Sequence, residues 1–208
     1  MFTQKYDSIL FDLDGTLWDA SQPLLDSWAS TLKTHFPGMY VPEEDIIKGA
    51  MGNDLDGLVN YYKPYYGERA REIVLTGLEE EVPYVIKNGG AIIYEGTRDT
   101  LEKLCKTKKL FIVSNCQVGY IENFLEYSGL AEYFTSFICA GETGLSKGEN
   151  AIRIIEKFNL SSPLFIGDTK GDEQAARLAG IDFAYAAYGF GSADSPDYTI
   201  NSITELAD

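Results

Sequence analysis

Asp12 and Asp14, two carboxylates in the stretch Asp12-Leu13-Asp14-Gly15-Thr16-Leu17, are the first residues of this chain with types and spacing suited to chemistry. They follow the apolar run Ile9-Leu10-Phe11, which has the length and composition of a buried strand, and Gly15 ends it. Side chains alternate along a strand, so both carboxylates would face one way while Leu13 turns back toward a core. Carboxylates held together repel unless a cation or a shared proton lies between them. A hard divalent ion with oxygen ligands, most naturally Mg²⁺, meets that need and leaves room for waters and a substrate phosphate. A carboxylate can also attack phosphorus and form an acyl-phosphate. An Asp-x-Asp-Gly surface turn is the bland alternative, so the reading depends on partners.

Those partners stand at the ends of later apolar runs. Leu110-Phe111-Ile112-Val113 leads into Ser114-Asn115, and Leu164-Phe165-Ile166 leads into Gly167-Asp168, with Asp172 beyond it. Lys147 lies between them, just ahead of a helical stretch from Gly148 to Phe158. Parallel strands present their C-terminal ends at one sheet edge, so residues distant in sequence can converge there. Asp12 and Asp168 could hold the cation, and Ser114 could donate to a phosphate oxygen with backbone N–H groups beside it. Lys147 would let an anionic carboxylate approach an anionic phosphate. Asp172 could reach the metal through water or orient Lys147 by an ion pair. Taken singly, Ser114 is an ordinary strand-end hydrogen bonder, Lys147 a solvated lysine and Asp172 a helix N-terminal acid. The combination on one scaffold is what departs from chance.

The elements that must position these residues alternate strand and helix with tight connections after Gly90, which predicts a doubly wound parallel sheet of the α/β class. Strands are expected at 110–113, 137–140, 164–166 and 183–186, with a short edge strand at 198–200, and helices at 118–127, 148–158 and 172–179. Residues 19–87 contain no confident strand. Helical periodicity runs from Pro23 to Thr34, from Pro42, from Asp54 to Tyr62 and from Glu68 to Lys87, with a break at Gly49–Asn53. The expected organisation is an α/β core of residues 1–16 and 91–208 with an all-helical insertion, a cap, at 17–90.

Composition narrows the function classes. A net charge of −15 argues against a nucleic-acid partner held through backbone phosphates, though not against small phosphorylated substrates met by local cations. The apolar run at Ile9 is too short for a signal peptide and no segment approaches membrane-spanning length, so a soluble cytoplasmic protein with no membrane partner is expected. Cys105, Cys116 and Cys139 lack metal or redox spacing and read as free thiols. The single histidine, His35, sits at a helix end and reads as structural, which removes Ser-His-Asp and multi-histidine metal sites. Lys48 reads as a surface lysine rather than a contact to an acidic leaving group, Tyr61, Tyr62, Tyr65 and Tyr66 as packing, and Cys116 as an inert thiol. Gly141–Gly148 fails as a phosphate loop because Ser146 replaces the glycine before the lysine and no Ser or Thr follows it. Gly189-Phe190-Gly191 lacks the third glycine of a dinucleotide fingerprint.

The motifs Asp12-Leu13-Asp14-Gly15-Thr16-Leu17, Ser114-Asn115, Lys147 and Gly167-Asp168-Thr169-Lys170-Gly171-Asp172 together resemble the four signature motifs of the haloacid dehalogenase superfamily. The helical insertion resembles the cap of its phosphoglycolate phosphatase-like branch. By that resemblance Asp12 would be the nucleophile that becomes an aspartyl-phosphate. Asp14 would protonate the leaving oxygen and activate water, its backbone carbonyl binding Mg²⁺. Ser114, with Asn115 beside it, and Lys147 would bind the phosphoryl group, and Asp168 would complete the metal site with Asp172 in support. Dehalogenating members lack the second aspartate, which is present here as Asp14. An alkoxide leaving group needs that acid and a halide does not, which favours hydrolysis of a small phosphorylated metabolite. A phosphomutase or phosphotransferase would use the same motifs, and a silent binding module would leave the charge set without purpose.

Overall fold

The computed structural model describes residues 2–88 and 91–207. Gly89 and Gly90, where the expected insertion ends, lie outside the described residues, as do Met1 and Asp208. In chain order the elements are β1 (Ser8–Phe11), β2 (Trp18–Asp19), α1 (Ser21–His35), α2 (Glu44–Ala50), α3 (Leu55–Tyr66), α4 (Ala70–Lys87) and β3 (Ile92–Ile93). They continue with α5 (Thr97–Leu104), β4 (Lys109–Ser114), α6 (Tyr120–Ser128), β5 (Ser136–Cys139), α7 (Ala140–Thr143) and α8 (Lys147–Phe158). The chain closes with β6 (Pro163–Gly167), α9 (Lys170–Ala179), β7 (Asp182–Ala186) and β8 (Tyr198–Ile200).

The main sheet has the order β5-β4-β1-β6-β7-β8, and every pairing in it is parallel. Central strands of such a sheet are buried on both faces and read as continuous apolar runs, as Ser8-Ile9-Leu10-Phe11 and Pro163-Leu164-Phe165-Ile166-Gly167 do, every residue of both being buried. Alternation divides them between two cores. Leu10, Phe111, Val113, Phe165 and Phe183 pack with Ala151 and Ile154 of α8 and Ala176 of α9, while Ile9, Phe11, Ile112 and Ile166 join the core on the other face. Phe11 lies beside both Ile112 and Ile166. Asp12, Ser114 and Asp168 therefore leave the sheet at the same edge, around the point where strand order reverses on either side of β1, which is where a doubly wound sheet opens a crevice.

Four elements departed from expectation. β2 and β3 form a separate antiparallel pair, Trp18 opposite Ile93 and Asp19 opposite Ile92. Two-residue strands carry no readable periodicity. α3 runs past Tyr62 through Pro64 to Tyr66. Tyr62 and Tyr66, one turn apart, are both buried and stacked, and that burial outweighs the hydrogen bond the proline removes. The expected strand 137–140 is shifted, since Ala140 opens the single turn α7. The regular elements among the described residues between β2 and β3 are all helices, with α1 against α4, α3 against α4 and α1 against α2. Trp28 of α1 stacks on Tyr62 at 4.7 Å between ring centroids, so the tyrosine cluster does serve packing. His35 ends α1 beside Glu80 at 3.7 Å. Among the described residues no helix is long and apolar enough to cross a membrane.

Phe165, fully buried between α8 and α9, tests this layering. Phe165→Ala is expected to lower unfolding free energy by about 3–5 kcal/mol, read from urea denaturation, because the close-packed face cannot collapse into the space left.

Candidate active site

Lys147 is the meeting point of the edge. Ser146 caps α8, its Oγ accepting from the Glu149 N–H at 3.3 Å while the Glu149 carboxylate accepts from the Ser146 N–H at 2.9 Å. This capping box starts the helix at Lys147 itself, a residue earlier than expected. The buried ammonium donates to Asp12 Oδ1 at 2.7 Å and to Asp172 Oδ1 at 2.6 Å. Burial alone would lower the Lys147 pKa, but the Asp12 and Asp172 carboxylates outweigh it and hold it above the ordinary lysine value. Asp172 also accepts from Thr169 N–H and Oγ1 through Oδ2, at 3.0 and 2.6 Å. Thr169 is the N-cap of α9, so one carboxylate both starts a helix and anchors the lysine. Of the two roles open to Asp172 in sequence, the ion pair is the one observed.

Asp168, fully buried, accepts through Oδ2 from the N–H groups of Phe190 and Gly191 at 2.7 and 3.3 Å. The Gly189–Gly191 loop thus supports a carboxylate, a role its glycine spacing did not reveal. Its signal is steric: a Cβ on Gly189 or on Gly15, whose φ is +79°, would collide with the Asp168 side chain. Asp12 Oδ2 and Asp168 Oδ1 are buried without a hydrogen-bond partner, and ligand oxygens of Asp12, Asp168 and Asp172 lie within 4.8 Å of one another. Burial first, then the neighbouring carboxylates, push Asp12 up to about 7 and Asp168 up to about 8. A divalent cation fits this set. The donors are all oxygens, two of them lack partners, and three carboxylates against one ammonium leave −3 + 1 = −2 to be neutralised.

The Asp14 side chain is outside that trio. Its Oδ1 accepts from Trp18 Nε1 and from the Tyr120 hydroxyl, both at 2.9 Å, which fixes its orientation, and it lines the same cavity as Asp12. Burial pushes Asp14 up to about 7 against the pull of these two hydrogen bonds. Ser114, at the end of β4, accepts weakly from Cys116 N–H at 3.3 Å, and its own proton is uncommitted among the described residues. Asn115 spends a side-chain N–H on the Gly52 carbonyl at 2.8 Å, so its amide ties the sheet edge to the turn between α2 and α3.

A cavity of about 80 Å³ opens above these groups, walled by Asp12, Asp14, Ser114 and Asn115 below and by side chains of α1–α4 above. Sequence reasoning missed one of them. Glu81 of α4 is buried, accepts from Trp28 Nε1 at 2.9 Å, and is pushed up to about 7 by burial. Its position in the acidic run Glu79-Glu80-Glu81 hid it, because only the helix phase turns the third acid inward. Lys48 is engaged elsewhere, paired with Glu44 at 2.6 Å, and lines a different groove with Thr169 and Phe190. Cys116 borders the cavity, and burial holds its thiol well above the usual value, in the unreactive protonated form.

Comparisons with known proteins agree with this geometry. The family described as haloacid dehalogenase-like hydrolase matches residues 9–186. A phosphoglycolate phosphatase of Vibrio parahaemolyticus is 26% identical over 99% of this chain and 96% of its own. Pyrophosphatase PpaX of Halalkalibacterium halodurans is 26% identical over 98% of this chain and 96% of its own. In fold, a haloacid dehalogenase-like family protein from Streptococcus pneumoniae matches with a TM-score of 0.86 at 23% identity, covering 97% of both chains.

Raised carboxylate pKa values bind extra protons in the folded state, so their stabilising contribution is full below about pH 4 and is lost as pH rises through 7. The metal-free protein is expected to melt at a lower temperature at pH 8 than at pH 5.5, and MgCl₂ is expected to raise Tm more at pH 8. Glu81→Gln removes one such group and should gain about 3 kcal/mol at pH 8 in the metal-free protein, given a rise from 4.5 to about 7. Calorimetry in chelator and in Mg²⁺ checks all three.

Proposed function

The chain belongs to the haloacid dehalogenase-like hydrolase family, and from that premise we propose that it is a Mg²⁺-dependent phosphatase hydrolysing a small phosphate monoester through an aspartyl-phosphate on Asp12. The observation that carries the reading is the buried chain Asp12–Lys147–Asp172 beside the partnerless oxygen of Asp168. Mg²⁺ held by Asp12 and Asp168, with the Asp14 carbonyl and Asp172 beside them, would neutralise charge on the transferring phosphoryl.

The chain's own residues supply the rest. Asp12 attacks phosphorus while Asp14, whose pKa burial pushes up to about 7 so that it can carry a proton near neutral pH, gives that proton to the departing alkoxide, releasing an alcohol. Asp14, now a carboxylate, takes a proton from water as that water attacks the aspartyl-phosphate, releasing phosphate and restoring Asp12. Lys147 has three N–H donors and spends two on carboxylates, which leaves one for a phosphoryl oxygen, and the free Ser114 hydroxyl can supply another. Trp18 and Tyr120 hold Asp14 in place for both proton transfers. Residues 17–90 serve as a cap over the core formed by 1–16 and 91–208, excluding bulk water and contacting the leaving group.

Asp12→Asn, which keeps the acceptor for Lys147, is expected to abolish Mg²⁺-dependent phosphate release by at least about four orders of magnitude. Asp14→Asn should cost roughly 10²–10⁴ on alkyl phosphates and far less on p-nitrophenyl phosphate, whose leaving group needs no proton. Equal losses on both esters would remove Asp14 as the acid. Sugar-phosphate isomerisation without phosphate release would make the enzyme a phosphomutase.

A further inference from the structure

The wall opposite the phosphoryl-binding edge has an unusual charge. None of the described residues lining the cavity is Lys, Arg or His. Its one carboxylate on the insertion side is Glu81, more than nine-tenths buried, whose only hydrogen bond among the described residues comes from Trp28. One carboxylate oxygen therefore carries no partner among the described residues, on a wall that also presents the apolar side chains of Leu24, Ile47 and Leu78. Beside it stand Trp28 and Tyr62, stacked at 4.7 Å, and both rings line the same cavity. A carboxylate withdrawn from water with no cation beside it attracts one, and the Trp28 and Tyr62 rings fill the space around it without supplying a positive charge.

Resting on the phosphatase reading above, we propose that the leaving alcohol of the substrate carries a small cationic group, a protonated amine, seated between Glu81 and the Trp28–Tyr62 pair. A volume of about 80 Å³ admits roughly five to eight water-sized groups, which limits the alcohol to a few heavy atoms. The overall reaction is balanced as amino-alkyl phosphate plus water giving amino alcohol plus phosphate. An anionic alcohol such as glycolate would instead meet the Glu81 carboxylate with no facing cation, a like-charge contact of the kind that excludes wrong partners. Substrate selection in this chain thus differs in sign from what a phosphoglycolate phosphatase requires.

Three esters of equal chain length test this with the Mg²⁺-loaded enzyme: 2-aminoethyl phosphate, 2-hydroxyethyl phosphate and phosphoglycolate, with acetyl phosphate as a generic phosphoryl donor. The expected order of kcat/KM is amine, hydroxyl, carboxylate, with the amine at least roughly a hundredfold above the carboxylate, as for a charge reversal in a desolvated pocket. Glu81→Gln, which keeps the Trp28 hydrogen bond, should shrink that ratio at least roughly tenfold. A preference for phosphoglycolate, a ratio unmoved by Glu81→Gln, or turnover of acetyl phosphate with none of the three esters would each overturn the inference and leave the phosphatase reading standing. Absence of turnover on all four compounds would remove the phosphatase reading and this inference with it.

Discussion

An ammonium buried between two carboxylates governs this molecule's working edge. Lys147 touches Asp12 from β1 and Asp172 from α9, so a single side chain fixes the relative placement of α8, α9 and the central strand. Buried ion pairs are poor contributors to stability, because removing each charge from water costs several kcal/mol and good geometry only recovers it. On the proposed reading Lys147 is kept for phosphoryl binding rather than for folding energy. Its two acceptors restrain it and occupy two of its three donors.

The same logic extends to the carboxylates. A folded chain that buries Asp12, Asp168 and Asp172 around one lysine stores electrostatic repulsion that hydrophobic burial in the two cores must offset. Glycines make the arrangement sterically possible: Gly15 and Gly189 come so close to Asp168 that neither could carry a side chain. The turn after β1 and the loop after β7 are therefore shaped around the acid that follows β6. A cation held among these oxygens would relieve such repulsion, so the stored energy would favour its binding.

Much of this edge was legible in the sequence because its residues sit at strand ends, where apolar runs stop abruptly. Asp12, Ser114, Lys147, Asp168 and Asp172 converge as their spacing suggested, and the parallel sheet follows from the same runs. What the sequence hid depends on helix phase and loop path. Glu81 lies in a charged run that looks solvated, and only packing of α4 against Trp28 turns it inward. The Gly189–Gly191 loop carries no motif for the support it gives Asp168, because backbone N–H donors leave no trace in residue type. Asn115 looked like an anion ligand by its place after Ser114, and its amide reaches Gly52 because the insertion lies close enough to be bound.

The antiparallel pairing of β2 with β3 sets outgoing and returning chain side by side, at the roughly 5 Å spacing of neighbouring strands. To the sheet, everything between them is equivalent to the tip of a hairpin. Closing such a loop costs free energy that grows only slowly with its length. Helices there can be exchanged, lengthened or re-lined while the strands that carry Asp12 and Asp168 keep their register. On the proposed reading, the fold thereby separates the evolution of what is recognised from the evolution of what is done to it.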